Sequence, residues 1–518
     1  MNGAHALIRT LVDADVDVCF TNPGTSEMHF VAALDDVPRM RAILGLFEGV
    51  VTGAADGYGR MADKPAATLL HLGPGLGNGF ANLHNARRAH TPIVNIVGDH
   101  ATFHKQYDAP LESDIDAVAR ACSGWVHRSM TPGAVAGDAA AAVAAARSGW
   151  GATATLILPA DVCWSDSPGP VDPVAPTAPA VVAAGDIEAL AGSLRRAEPA
   201  VILIGGPAMR ERGQRAAARI SAATGARVFA ETFPARDERG AGRPAVTRLA
   251  YLAEFAQMQL EGAVRLVLAG AAAPVSFFAY PDKASVLQPD GCEVVSLAGP
   301  GDDVVAALEA LADALGAGND VEIQPAGRPD RPTGTLTAET AAAAIGALLP
   351  EGAIVADEAN TSGIFIPGFT AGSPRHDWLC LTGGAIGIGL PLATGAAVAC
   401  PDRPVWCLQA DGSALYTIQA LWTQAREGLD VTTVIFNNAS YAVLNMELNR
   451  VGAAHVGPVA KSMLDLSNPD QDFVSISRGL GVPAARATTA EELCVELERA
   501  AAEPGPHLIE AMVPPIGL

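Results

Sequence analysis

The chain is 518 residues long, 49% hydrophobic, and carries a formal net charge of −22 at pH 7, with 56 Asp and Glu against 34 Lys and Arg. That surplus of carboxylates argues against a nucleic-acid partner, because phosphate binding needs clustered cations. The apolar runs are short and broken by Gly, Pro or charge, well below the ~20 continuous apolar residues of a membrane span, and the length suits about three domains of ~150 residues each.

The first residues, Met1 to Leu7, pass straight into a helical pattern without a basic start, an apolar core and a cleavage site, which predicts a cytoplasmic protein. Two loops, Asn22-Pro23-Gly24-Thr25-Ser26-Glu27 and Leu70-His71-Leu72-Gly73-Pro74-Gly75, each follow an apolar strand-like run. Loops at the carboxyl ends of parallel strands line a crevice. A lone histidine such as His71 is otherwise an ordinary structural residue. Between the loops, Glu48 stands in the apolar run Leu44-Gly45-Leu46-Phe47-Glu48-Gly49-Val50-Val51, ahead of Asp56-Gly57-Tyr58-Gly59-Arg60. Burial disfavours the ionised form of such a carboxylate and equips it to hand a proton to a ring nitrogen near neutral pH. The plainer role for a Glu at a helix start is to complement the helix dipole.

Two proline-rich stretches, Ser165–Pro173 and Pro325–Pro332, continue neither a helix nor a central strand, and they divide the chain into residues 1–170, 183–322 and 335–518. Within each part β-branched runs alternate with Ala-rich helical stretches. Ile93–Val97, Thr155–Leu158, Val201–Ile204, Leu266–Leu268, Val405–Leu408 and Thr432–Phe436 are the clearest strands. The alternation predicts an α/β protein of three open, mostly parallel-sheet domains with helices on both faces. The first and third parts share an order of features: a Gly-rich stretch (73–77, 383–389), a helix, a Pro (Pro92, Pro404) and a strand ending at Asp99 or Asp411, which suggests similar topology. The eight cysteines stand singly, with no close pair of the kind that binds zinc or shuttles electrons.

The sharpest signal lies where Val405-Trp406-Cys407-Leu408 gives way to Ala410-Asp411-Gly412-Ser413 and then to a helical run, Ala414 to Trp422. A strand, a Gly turn and a helix start make an anion site: helix N–H groups point at a phosphate, Gly412 permits close approach, and Ser413 can cap the helix or donate its hydroxyl. Asp411 is negative, so a phosphate beside it requires a cation. The next strand, Val431–Phe436, ends in Asn437-Asn438-Ala439-Ser440-Tyr441. Asn-Asn alone is a turn signal. Placed one strand–helix–strand unit after Asp-Gly-Ser, it completes a set of hard oxygens, the Asp411 carboxylate, the Asn438 amide and a carbonyl near Ser440, that suits magnesium.

With these motifs the sequence resembles the thiamine-diphosphate enzymes of the acetolactate synthase and benzoylformate decarboxylase group, whose cofactor motif opens Gly-Asp-Gly and closes Asn-Asn; the first glycine is Ala410 here. The resemblance spans the whole chain, in the order pyrimidine-binding, central and diphosphate-binding domain. It implies thiamine diphosphate and magnesium as cofactors, with Asp411, Asn438 and the Ser440 carbonyl on the metal and Gly412, Ser413, Asn438 and Tyr441 near the diphosphate. Asn360, Thr361 and Ser362, after the strand at Ile354-Val355-Ala356, could donate further to the diphosphate. Gly383-Gly384-Ala385-Ile386-Gly387 resembles the segment that bends the cofactor: Ile386 would be the wedge between its rings, and the Gly384 carbonyl would accept from its amine. Glu48 matches the glutamate that hydrogen-bonds the aminopyrimidine ring, and Thr25 and His71 match substrate-side positions of benzoylformate decarboxylase.

Two departures stand beside these matches. Ala279 occupies the place expected of the second histidine of benzoylformate decarboxylase, and Asp108-Ala109-Pro110-Leu111-Glu112 replaces the Asp-Ala-Phe-Gln-Glu of acetolactate synthases. The resemblance therefore implies decarboxylation of a 2-oxo acid with transfer of the remaining fragment to a proton or a second carbonyl. A lyase or ligase of 2-hydroxy ketones or 2-hydroxyacyl thioesters, and a non-catalytic cofactor-binding paralogue, stay as alternatives. A homodimer or homotetramer is implied, while FAD, which synthases of the group often carry, is left open, and substrate size is tied to Val443, Leu444 and Glu447.

Overall fold

The computed structural model describes residues 1–196, 198–452 and 456–516. Strands β1 (Val18–Asn22), β2 (Arg41–Leu44), β3 (Ala66–Leu70), β4 (Ile93–Asp99), β5 (Trp125–Arg128) and β6 (Thr153–Pro159) form a six-stranded sheet in the order β2-β1-β3-β4-β6-β5. Then come β7 (Ala200–Ile204), β8 (Arg227–Ala230), β9 (Asp237–Arg239), β10 (Thr247–Arg248), β11 (Arg265–Ala269) and β12 (Glu293–Ala298); all but β9 make a central sheet ordered β10-β8-β7-β11-β12. The third sheet, β17-β18-β16-β15-β13-β14-β9, takes β13 (Ile354–Glu358), β14 (His376–Cys380), β15 (Val405–Ala410), β16 (Val431–Asn437), β17 (Ala484–Ala487) and β18 (His507–Met512). Every pairing between these strands is parallel except β14 with β9.

All six strands read most clearly from the sequence are present, each extended by one to three residues. Strands β3, β4 and β6 are buried along their whole length, as expected of parallel strands covered on both faces, whose sequences read as continuous apolar runs. The likeness of the first and third parts is one of topology. Read as β14-β13-β15-β16-β18-β17, the third sheet repeats the first strand for strand. In each sheet the strand order reverses beside its first strand, placing a crevice outside the carboxyl ends of β1 and β3, of β13 and β15, and of β7 and β11 in the centre.

The first and third sheets meet through the helices Glu48–Ala62 and Gly389–Ala399. A Cβ at Gly395 would lie 1.8 Å from the Ala54 carbonyl oxygen, and one at Gly57 would lie 2.0 Å from that of Leu392. The two backbones therefore touch, and glycine is the only residue that fits either position. Gly395→Ala is expected to force the helices apart and cost about 2 kcal/mol or more, read as a lowered denaturation midpoint. The Asp-Gly-Tyr-Gly-Arg run serves the same junction. Arg60 pairs with Asp56 at 2.5 and 2.8 Å and donates to the Cys380 carbonyl at 2.7 Å, while Thr91 donates to Asp56 at 2.5 Å. This fully buried ion pair is hydrogen-bonded on both sides, the condition under which buried charge is tolerated. Among the described residues no helix is long and apolar enough to cross a membrane.

Candidate active site

At the crevice of the third sheet, β15 and β16 are hydrogen-bonded neighbours with Ala410 opposite Phe436, so the Asp411 and Asn438 turns lie side by side. Asp411 is 2% exposed. Its Oδ1 accepts from the Gly412 N–H at 2.7 Å, and its Oδ2 accepts from the Asn438 and Ala439 N–H groups at 3.0 and 2.7 Å. Burial pushes its carboxyl above the usual range, and these backbone donors oppose that shift. Asn438 Oδ1 accepts from the Ser440 N–H at 3.0 Å, and its Nδ2 donates to Ser362 Oγ at 3.2 Å. One turn therefore gathers the carboxylate, the side-chain amide and the residue whose carbonyl was expected to complete the set. Among the described residues no cluster of three or more His, Cys, Asp or Glu could hold a metal. A cation at this turn would rest on a single carboxylate plus amide and carbonyl oxygens, a donor set for a hard ion.

Two expectations for this turn are corrected. The helix begins at Asp411 with Ala410 as its cap, stops at Ala414 and restarts only at Ala420, in place of one run through Trp422. Thr417 explains the interruption, since its hydroxyl donates to the Gly387 carbonyl at 2.8 Å and draws the chain towards the glycine segment. Ser413 neither caps the helix nor presents its hydroxyl outward. It is 2% exposed, accepts from Gln409 Nε2 at 2.6 Å and donates to the Ala410 carbonyl at 3.2 Å. Gly412 is required for a different reason from phosphate approach alone: a Cβ there would lie 2.4 Å from the Tyr441 ring.

The glycine segment is clamped from two sides. Asn85, on the helix Leu72–Arg88, accepts from the Gly383 and Ala385 N–H groups at 3.1 and 3.2 Å and donates to the Ala385 carbonyl at 2.8 Å. Glu358, the last residue of β13, accepts from the N–H groups of Gly387 and Gly389, both at 2.6 Å, and from Gln409 Nε2 at 3.0 Å. Burial lifts the Glu358 carboxyl to about 7 against the pull of these donors. Ile386 sits half-buried between the clamps, and Gly384, exposed at φ +73°, has no atom within 4 Å of a would-be Cβ. Asn360 is exposed in a left-handed conformation (φ +51°) and Thr361 is half-buried, whereas Ser362 is the residue of that trio that reaches Asn438.

At the crevice of the first sheet, Glu48 opens its helix and is 7% exposed, accepting from Asn78 Nδ2 at 3.0 Å. The expected loop at Leu70–Gly75 is instead the start of the helix Leu72–Arg88, capped by His71; a Cβ at Gly75 would fall 3.2 Å from Glu48 Oε1 and 3.3 Å from His71 Cβ, so Glu48 and His71 flank this helix start. His71 Nδ1 lies 2.8 Å from Glu27 Oε2, and the same carboxylate accepts from the Gly24 N–H at 2.8 Å and from Ser26 Oγ at 2.5 Å. A carboxylate only accepts, so Nδ1 carries the proton and Nε2 is the nitrogen free to exchange one. Glu27 and Glu358 were not singled out by the sequence analysis. The signal available for both was a carboxylate in or beside a crevice loop. Thr25 is exposed at the start of the single helical turn Thr25–Glu27. Asn82 links the two crevices, donating to the Gly49 carbonyl at 2.8 Å and to the Gly387 carbonyl at 3.3 Å.

The departures also have a place. Glu112 pairs with Lys105 at 2.6 Å, and Leu111 is exposed. Ala279 is exposed next to Tyr280, whose hydroxyl donates to Glu447, and Glu447 also accepts from Arg450 at 2.9 Å.

Residues 1–119 match the thiamine pyrophosphate enzyme N-terminal TPP binding domain, and residues 364–511 match the C-terminal TPP binding domain of the same enzymes. A Mycobacterium tuberculosis protein whose name, acetolactate synthase large subunit IlvX, is itself provisional is 63% identical over 515 residues, covering 99% of each chain. The chain belongs to the thiamine pyrophosphate enzyme family. Another relative in this family, benzoylformate decarboxylase of Pseudomonas aeruginosa, is 30% identical over 530 residues and 95% of each chain. The thiamine pyrophosphate enzyme fold is shared with the 4-hydroxybenzoylformate decarboxylase of Rhodococcus jostii RHA1, at a TM-score of 0.87 and 23% identity over 99% of each chain. Of the candidate residues, Thr25, Glu48 and His71 fall in the N-terminal match, and Gly384, Ile386, Asp411–Ser413 and Asn438–Tyr441 fall in the C-terminal one; Asn360 and Thr361 precede it.

Proposed function

We propose that this enzyme decarboxylates a 2-oxo acid, with magnesium held by Asp411, Asn438 and the Ser440 carbonyl. The observation that carries the reading is the Asp411 carboxylate, buried and lodged in the Asn438–Ala439 turn, where a divalent ion would supply the positive charge that backbone donors supply only in part. When bound, thiamine diphosphate supplies the electron sink for cleavage. The chain's own residues do the rest. In the turn Asp411–Ala414 the Gly412 N–H is held by Asp411 Oδ1, so Ser413 would contribute through its amide. The Glu358 and Asn85 clamps hold Ile386 and the Gly384 carbonyl in place, with Tyr441, Asn360 and Thr361 at the rim. Glu48 would hold the aminopyrimidine ring and exchange a proton at its carboxylate. His71, oriented by Glu27, moves a proton at the substrate carbonyl, and the Thr25 hydroxyl meets the substrate carboxylate. A homodimer is the minimum unit, Glu48 serving the diphosphate site of a second copy.

Ala279, Pro110 and Leu111 supply neither the histidine nor the glutamine of the two named activities, and this favours a second reading, cleavage or ligation of a 2-hydroxy ketone or 2-hydroxyacyl thioester. Purified protein with thiamine diphosphate and magnesium, given pyruvate, benzoylformate, benzoin and a 2-hydroxyacyl thioester in turn, separates the two. Release of carbon dioxide from either 2-oxo acid is expected. Turnover confined to the last two substrates would overturn the decarboxylase reading.

A further inference from the structure

Of the three crevices, the central one is built differently. A dinucleotide on an open parallel sheet lays its pyrophosphate on the glycine turn after the first strand, against N–H groups left free for it. Here that turn is Gly205-Gly206, following β7. The Gly206 N–H donates to Glu231 Oε1 at 2.9 Å, and Glu231 is fixed at the end of β8 by its own N–H, which donates to the Ile204 carbonyl at 2.9 Å. A Cβ at Gly205 would stand 2.8 Å from Glu231 Oε1 and 2.8 Å from the Gly270 carbonyl oxygen. The opposite wall closes on the same turn, since a Cβ at Gly270 would lie 2.3 Å from the Gly205 carbonyl oxygen. Above it sits Trp150, from the first part of the chain. A Cβ at Gly206 would be 3.0 Å from its ring, and its indole N–H donates to the Asp302 carbonyl at 2.7 Å.

We infer that the central sheet takes neither flavin nor any other dinucleotide, because the Glu231 carboxylate fills its phosphate turn from within and the Trp150 indole covers it. The residues of this turn do not fit FAD. Burial raises the Glu231 carboxyl to about 7, against the opposing pull of the Gly206 N–H and Arg88. The inference is independent of the substrate.

The test uses the holoenzyme purified with thiamine diphosphate and magnesium. Its visible spectrum is read for flavin, acid-released nucleotides are separated by chromatography, and FAD and ADP are titrated calorimetrically. The expected result is no flavin band, no stoichiometric nucleotide, no saturable heat with either compound, and turnover unchanged by added FAD. Stoichiometric flavin or nucleotide, or saturable binding of either compound, overturns the inference. Thiochrome from the same extract reports the thiamine cofactor separately, so a failure of that reading is not mistaken for a failure of this one.

Discussion

Asp411→Ala is expected to abolish magnesium-dependent retention of thiamine diphosphate. The carboxylate has two tasks in the geometry. It would be the one charged ligand among three oxygens, and it holds the Asn438–Ala439 turn by accepting two of its N–H groups. Groups that merely orient metal ligands cost about 10–100-fold in affinity when lost, so removal of the charged ligand should exceed about 100-fold. Asp411→Asn separates the tasks, because it keeps an acceptor for the turn and removes the charge. Both variants should lose the coenzyme on desalting, measured as thiochrome with and without a chelator. Unchanged magnesium dependence in Asp411→Asn would take this residue out of the coordination sphere.

Glu48→Gln should behave in the opposite way, leaving cofactor affinity within about 10-fold while lowering turnover by about 100-fold or more, the usual scale for a lost acid–base group. The amide preserves shape and an acceptor for Asn78, and the helix start is held independently by the Asn82 bond to the Gly49 carbonyl. A binding defect is therefore not expected. Hydrogen–deuterium exchange at the thiazolium carbon should slow in parallel with turnover. Equal turnover in variant and parent would contradict the assigned role.

Much of the scaffold could be read from the chain because parallel strands covered on both faces leave continuous apolar runs, and because a strand, a tight turn and a helix start demand particular residues. Asp411-Gly412 and Asn437-Asn438 were legible for that reason, and the hydrogen-bonded pairing of β15 with β16 brings them together. Features settled by partners distant in sequence were not legible. Nothing local announces that Thr417 will bond the Gly387 carbonyl and break the following helix, or that Ser413 will turn inward to Gln409. Glu358 and Glu27 went unremarked because each looks like an ordinary strand-end or loop carboxylate until the backbone amides of Gly387 and Gly389, or the His71 imidazole, arrive from elsewhere. The three-residue strand β9 is too short to leave a pattern, and it exists because the edge of β14 is available to it.

The crossing of Gly57 and Gly395 has a mechanical consequence. A carbonyl oxygen pressed on a glycine offers no rotamer through which to yield, and close-packed interiors transmit strain instead of absorbing it. The helices Glu48–Ala62 and Gly389–Ala399 must therefore move as a single lever, and β9, paired with β14, ties part of the middle segment to the same body.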